Sequence, residues 1–165
     1  MSDSIRYSVH LTPTEVLTDE NEGTRNALAS EVNKSLGGKG EAVVTDYSGT
    51  AAAQGYKDAA VNYLECIDSD DTTDISSEAT ASFVFIKNTG YTFSDATTLG
   101  VALAKSVKVM IGTTMISILD AGECIILKDD NAGLVCTNIH VRTVDTDGSE
   151  NASAGHLAVE YLVCD

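Results

Sequence analysis

The sequence predicts an all-β domain, an antiparallel β-sandwich of jelly-roll-like type, preceded by an irregular N-terminal segment. Three observations predict it. Short runs that alternate apolar and polar residues recur along the chain, as in HLAVEYLVC at 156–164. Turn-rich stretches separate these runs at the spacing of sandwiches and barrels. No long amphipathic run supplies the crossover helices that a parallel sheet needs.

Residues 4–12, SIRYSVHLT, alternate cleanly. Ile5, Tyr7, Val9 and Leu11 fall on one side, Arg6, Ser8 and His10 on the other, which makes a half-buried strand. Pro13, the only proline, ends it. Residues 13–40 are polar and mixed. Asn26 to Val32 has room for two helical turns, and Gly37-Gly38-Lys39-Gly40 breaks whatever forms there and acts as a flexible joint. Residues 1–40 therefore read as an N-terminal strand and flexible arm, and 41–165 as the β-sandwich domain.

Within that domain Glu41 to Tyr47 reads as a strand closed by Ser48-Gly49, and Ala59 to Ile67 as another; 50–58 carry no clear pattern. The acidic run DSDDTTDISSE at 68–78 reads as a solvated loop, because dense like charges repel. Ala81 to Lys87 is β-branched and aromatic, and Asn88-Thr89-Gly90 is a turn signal after it. Residues 91–100 are polar, and 101–105 are ambiguous. Ser106 to Ile111 alternates up to Gly112, and Thr114 to Leu119 follows. Asp120-Ala121-Gly122-Glu123 is a tight hairpin or corner before the apolar run Cys124 to Lys128. Leu134 to Val144, the loop DTDGSENASAG and the closing strand His156 to Cys164 complete the chain.

Charge narrows the functional classes. Asp and Glu number 25 against 10 Lys and Arg, a formal charge of −15. Nucleic-acid binding through phosphates needs a basic patch, and adsorption to an anionic membrane needs the same. Neither partner is expected. The balance suits solubility, a cation-rich medium or a basic partner. No run of about 18 apolar residues predicts a membrane span, and MSDSIRYSVHL lacks the pattern of a secretory signal. Folding in a cytosol is the expectation.

Cys66, Cys124, Cys136 and Cys164 show no C-x-x-C spacing. Strand-like neighbours make buried thiols the first reading. Disulfides within or between subunits are the alternative, with Cys164 the best placed for a bond between subunits. His10 and His140 sit in strands and, with His156, read as surface or interface residues. There is no G-x-S-x-G elbow, H-E-x-x-H or P-loop. No catalytic, cofactor-binding or metal-ligating residue is assigned, and no cofactor is expected. Structural calcium is the alternative, on the oxygen-rich runs Asp68-x-Asp70-Asp71-x-x-Asp74 and Asp145-x-Asp147-Gly148-x-Glu150, although neither matches a twelve-residue calcium loop.

FVFIKNTG (83–90), ILDAGECIIL (118–127) and the terminal LAVEYLVCD, in that order, resemble small virion proteins of tailed bacteriophages. The polar, Thr-rich stretch after the first strand, SVHLTPTEVLTDENEG, is similar too. The resemblance covers mainly 79–165. It implies a non-enzymatic β-sandwich subunit of a phage particle, made in the host cytoplasm: a capsid decoration or accessory protein, or a tail, neck or collar component. An exterior receptor- or glycan-binding module is the rival. The implied partners are further copies of the chain, as a homo-oligomer with three copies expected, and the major capsid or tail proteins of the same particle. No functional residue is carried over.

Overall fold

Pairing between strands far apart in sequence organises this molecule. The computed structural model describes residues 3–11, 14–19, 23–28, 36–44, 53–55, 62–68, 73–76, 79–129 and 131–164. By its contacts the chain divides into a unit spanning Ile5–Glu41 and a second that comprises Met1–Ser4 and Ala42–Asp165.

In the N-terminal region β1 (Asp3–Leu11) pairs with a later strand, and β2 (Thr14–Asp19) pairs antiparallel with β3 (Gly23–Leu28). The partner of β1 is β4 (Leu36–Val44). The loop or short helix expected over 13–40 is thus corrected to strands over most of its length. A two-turn helix is marginal in water, whereas Thr14, Val16, Thr18 and Thr24 are β-branched residues with a ladder partner within reach. Gly37 to Gly40 lie inside β4 rather than forming a joint. The Tyr7 ring lies over Gly40, where a Cβ atom would collide with it. That close approach is the reason for glycine at 40.

The sandwich unit carries β5 (Ala53–Gly55), β6 (Tyr63–Cys66), β7 (Thr73–Asp74), β8 (Thr80–Ala81), β9 (Phe83–Asp95), β10 (Thr98–Ala102), β11 (Ser106–Ile111) and β12 (Thr114–Leu119). After them come β13 (Cys124–Lys128), β14 (Leu134–Val135), β15 (Ile139–Val144) and β16 (Leu157–Cys164). One turn of 3-10 helix at Cys136–Asn138 is the only helix among the described residues. The expected strand ends at 45–47 and 59–61 lie outside those residues.

Two antiparallel sheets share one core. The first has the order β10-β9-β16-β5, with β13 also on β9 and β6 also on β16. β13 and β10 occupy successive lengths of β9, while β5 and β6 occupy successive lengths of β16, so its six strands fill four columns. The second sheet has the order β12-β11-β15-β7.

The pairs nest inside one another. β11 pairs β12, β9 pairs β13, β8 pairs β14, β7 pairs β15 and β6 pairs β16. The sandwich unit is therefore one long antiparallel hairpin, rolled up so that β11 meets β15 and β9 meets β16. Its tip is the two-residue loop between Ile111 and Thr114, where Gly112 has φ 58°. A positive φ at the first loop position is what a tight II′ hairpin turn requires.

Alternation assigns the faces. Val84 and Ile86 on β9, Val107 and Val109 on β11, and Val159 and Val163 on β16 are almost fully buried in the common core. Each such side chain contributes about 1.5–3 kcal/mol, against about 0–1 for an exposed ion pair. Apolar burial therefore holds the sheets together, and polar ties set their register.

Two glycine motifs resolve in opposite ways. Asp120 to Glu123 is a turn closed by the Glu123 N–H on the Asp120 carbonyl at 2.9 Å, with Gly122 at φ 87°. It carries the chain from β12 in one sheet to β13 in the other, so it is a corner. Asn88-Thr89-Gly90 does not end its strand. β9 runs on to Asp95, and Gly90, at φ 76°, sits where the register between β9 and β16 shifts. This is a bulge, and the expected turn is corrected accordingly. The same left-handed glycine serves a bulge or a turn, and the partner strand decides which.

Candidate functional site

Buried polar side chains mark where the fold is tied. Asn88 is fully buried. Its side-chain amide donates to the carbonyls of Leu119 (2.9 Å) and Lys105 (3.0 Å), and its side-chain oxygen accepts from the Gly90 N–H (2.9 Å). It thereby fixes the entrance of β11 and the exit of β12 onto β9. Thr143 on β15 crosses between the sheets: its hydroxyl donates to the Cys66 carbonyl at 2.6 Å and accepts from the Leu157 N–H at 3.2 Å. Neither role is visible in composition. The only local signal at Asn88 is an Asn two residues before a Gly.

The first acidic run is not a solvated loop where it is described. Asp68 is only 7% exposed, and its carboxylate accepts from the Gly155 N–H at 2.6 Å. Ile75 and Ser76 are buried as well, and Thr73–Asp74 is strand β7. Asp70 and Asp71 lie outside the described residues. The expectation failed because the sequence does not reveal that a backbone donor 87 residues away will meet Asp68.

The second run is a strap over the outer face of the four-stranded sheet. Lys108, Arg142 and Ile118 are cross-strand neighbours on that face. Glu150 bonds Lys108 at 2.7 Å and Arg142 at 3.0 Å, Gly148 stands against the Ile118 side chain, and Asp145 pairs with Lys105. The Lys105 hydrogen bond, aided by Asn151, holds the Asp145 carboxyl below the usual carboxylate range. Lys108 and then Arg142 do the same for Glu150. Arg142 also reaches the Asp68 carbonyl at 3.3 Å, so it touches both acidic runs. Among the described residues no group of three or more His, Cys, Asp or Glu side chains is placed to hold a metal ion.

His140 and His156 each face carboxylates. His140 Nδ1 lies 2.7 Å from Asp74 across the β7–β15 ladder. His156 Nδ1 lies 2.7 Å from Glu65, and its Nε2 lies 3.6 Å from Asp68. His10 lies in β1, and its side chain is outside the described residues. The three histidines were expected at surfaces or interfaces; the two that are described pin β6 and β7 to later strands.

Cys66, Cys136 and Cys164 are buried and Cys124 is exposed. Burial pushes the Cys66 thiol up to about 12. Cys164, expected to be best placed for a bond between subunits, is corrected: it lies in β16 with Phe83 on one side and Ala53 on the other. Cys124 instead sits on the outer face of the six-stranded sheet, in a row with Lys87, Glu160 and Tyr63.

Among the described residues of the sandwich unit, five of the exposed large apolar side chains lie on two hairpins and a sixth, Val135, on β14. Tyr91 and Val101 lie on the β9–β10 hairpin, and Ile111, Met115 and Ile116 on the β11–β12 hairpin. In the N-terminal unit a groove of about 490 Å³ is lined by Arg6, Tyr7, Ser8, Lys39, Gly40 and Glu41, with Arg6 and Glu41 3.4 Å apart. The chemistry on view in the sandwich is that of side chains engaged with one another and of strand ends open to contact. No protein-family model, no curated protein and no solved structure matches this chain.

Proposed function

We propose that the chain is a structural protein of a bacteriophage particle, a capsid decoration or accessory subunit that acts by assembly and not by turnover. The observation that carries the reading is the pairing of an acidic exterior with exposed apolar side chains concentrated on the sandwich's β9–β10 and β11–β12 hairpins. Copies with a formal charge of −15 repel one another at random encounters and associate where uncharged surface meets its match. The nested ladder, whose pairs β6–β16 and β9–β13 lie in one sheet and β7–β15 and β11–β12 in the other, is read here as a jelly roll, a scaffold suited to repeated display. The partners are further copies of the chain, taken as three per closed assembly, and the major capsid or tail proteins. The resemblance of residues 79–165 to tailed-phage virion proteins points the same way.

The experiment is to ask for the chain in purified particles and count it. Hundreds of copies fit a shell or tail tube; tens place it at a collar or baseplate. Absence from particles sinks the reading. Deletion of residues 1–40 is expected to abolish incorporation while far-ultraviolet circular dichroism keeps its β signal.

A further inference from the structure

We infer that the groove of the N-terminal unit is a binding site for an acidic saccharide, a hydroxyl-rich ligand with one carboxylate such as a uronic acid residue. The site stands apart from the assembly reading above and does not depend on it. Its six lining residues all lie within Ile5–Glu41. Arg6, Tyr7 and Ser8 come from β1, and Lys39, Gly40 and Glu41 from β4.

Charge sets the groove apart from the rest of the chain. In the sandwich unit Lys87, Lys105, Lys108 and Arg142 are each matched to a carboxylate. No carboxylate meets the Lys39 ammonium among the described residues. With 25 Asp and Glu against 10 Lys and Arg, an unmatched lysine is the exception in this chain. Arg6, across the groove, is held but not used up. Glu41 approaches its Nε at 3.4 Å, which leaves the far end of the guanidinium fork open to a second carboxylate.

The lining narrows the ligand. Arg6 and Lys39 against Glu41 leave one positive charge in excess, which matches a monoanion better than a dianionic phosphate. A volume of about 490 Å³ is far more than a single ion fills and lies in the range of small-molecule sites. The Ser8 hydroxyl and the Glu41 carboxylate offer hydrogen bonds to hydroxyl groups. The Tyr7 ring is seated on Gly40, where a Cβ atom would collide with it, so one wall is set before any ligand arrives. An apolar ligand would leave these charged groups desolvated and unpaired.

Amide NMR of the full chain, titrated with glucuronate, tests this. Saturable shifts are expected at Arg6 to Ser8 and Lys39 to Glu41, weakening as salt rises. Glucose, acetate and inorganic phosphate, titrated separately, are each expected to bind at least about tenfold more weakly, since each lacks the carboxylate, the hydroxyls or the single charge. Lys39→Gln and Arg6→Gln should each weaken glucuronate about tenfold with circular dichroism unchanged. Should Arg6→Gln loosen the β1–β4 ladder, Lys39→Gln decides alone, because Lys39 ties nothing there. Glucuronate that leaves these amides unmoved overturns the inference, and so does unchanged affinity in Lys39→Gln. Equal binding of glucose overturns it by showing that charge is not read. Equal binding of acetate or phosphate overturns it by showing a general anion patch.

Discussion

Residues 68–74 and 145–150 are both acidic, and the fold treats them differently. Asp68 is taken inside and met by a backbone N–H, that of Gly155. Asp145 and Glu150 stay near the surface and are met by long basic side chains, Lys105, Lys108 and Arg142. A buried carboxylate needs a donor whose position is already fixed, because a mobile cation would bring its own desolvation penalty. A surface carboxylate can be matched by side chains that reach out to it. Arg142 joins the two cases, since its guanidinium donates to Glu150 on one side and to the Asp68 carbonyl on the other.

Three perturbations break or sharpen this contrast. Arg142→Leu acts on both runs at once. It strands the buried Asp68 carbonyl, leaves Glu150 to Lys108 alone, and is expected to cost about 2–4 kcal/mol in urea unfolding. Arg142→Lys should recover less than half of that, because an ammonium lacks the planar fork. An unchanged midpoint in the leucine variant would show that Arg142 does not join the runs. Asp68→Asn comes next. It keeps the shape and removes the charge that the Gly155 N–H and His156 face, for an expected loss of about 1–3 kcal/mol. A loss as small as that of a surface aspartate would mean that Asp68 is solvated after all.

The smallest effect belongs to the strap and is read by pH. The carboxyls of Asp145 and Glu150 are held below their ordinary range, so their contribution is complete above that range and fades as pH falls through the lowered values. Amide exchange over 145–155 is therefore expected to quicken below about pH 4 while β9 and β16 stay protected. Lys108→Met removes the main cause of the Glu150 shift and should move the release to higher pH. Release at the same pH in that variant would count against the pairing.

Alternation made several strands legible from residues alone. The alternating runs at 4–12, 106–111 and 156–164 are β1, β11 and β16 within a residue or two, and the strand expected at 114–119 is β12. In β1 and β16 one face is buried more than the other, which keeps the period-2 pattern. Where the outcome depended on a distant partner, local chemistry misled. Asn88-Thr89-Gly90 carries turn residues but is held as a bulge by β16. Thr73–Asp74 sits in an acidic run but is a strand because β15 offers a ladder and His140 a hydrogen-bond partner. Over 13–40 the polar composition hid β2 and β3, whose stabilising contacts are with each other. At the candidate site, the side chains that tie the sandwich, Asn88, Thr143 and Arg142, are ordinary residues by type. Their roles come from the three-dimensional neighbourhood.

The nesting of the strands has a consequence for how the protein is made. β16 is synthesised after β1 to β15, yet it lies between β9 and the two strands β5 and β6 at the middle of the first sheet. A chain still emerging from the ribosome holds β5, β6 and β9 without the strand that unites them. One side of the core stays open until β16 has emerged, and slow, non-local closure waits for it. Deletion of Leu157 to Cys164 would therefore take out a central strand and leave the newly made chain without a completed first sheet.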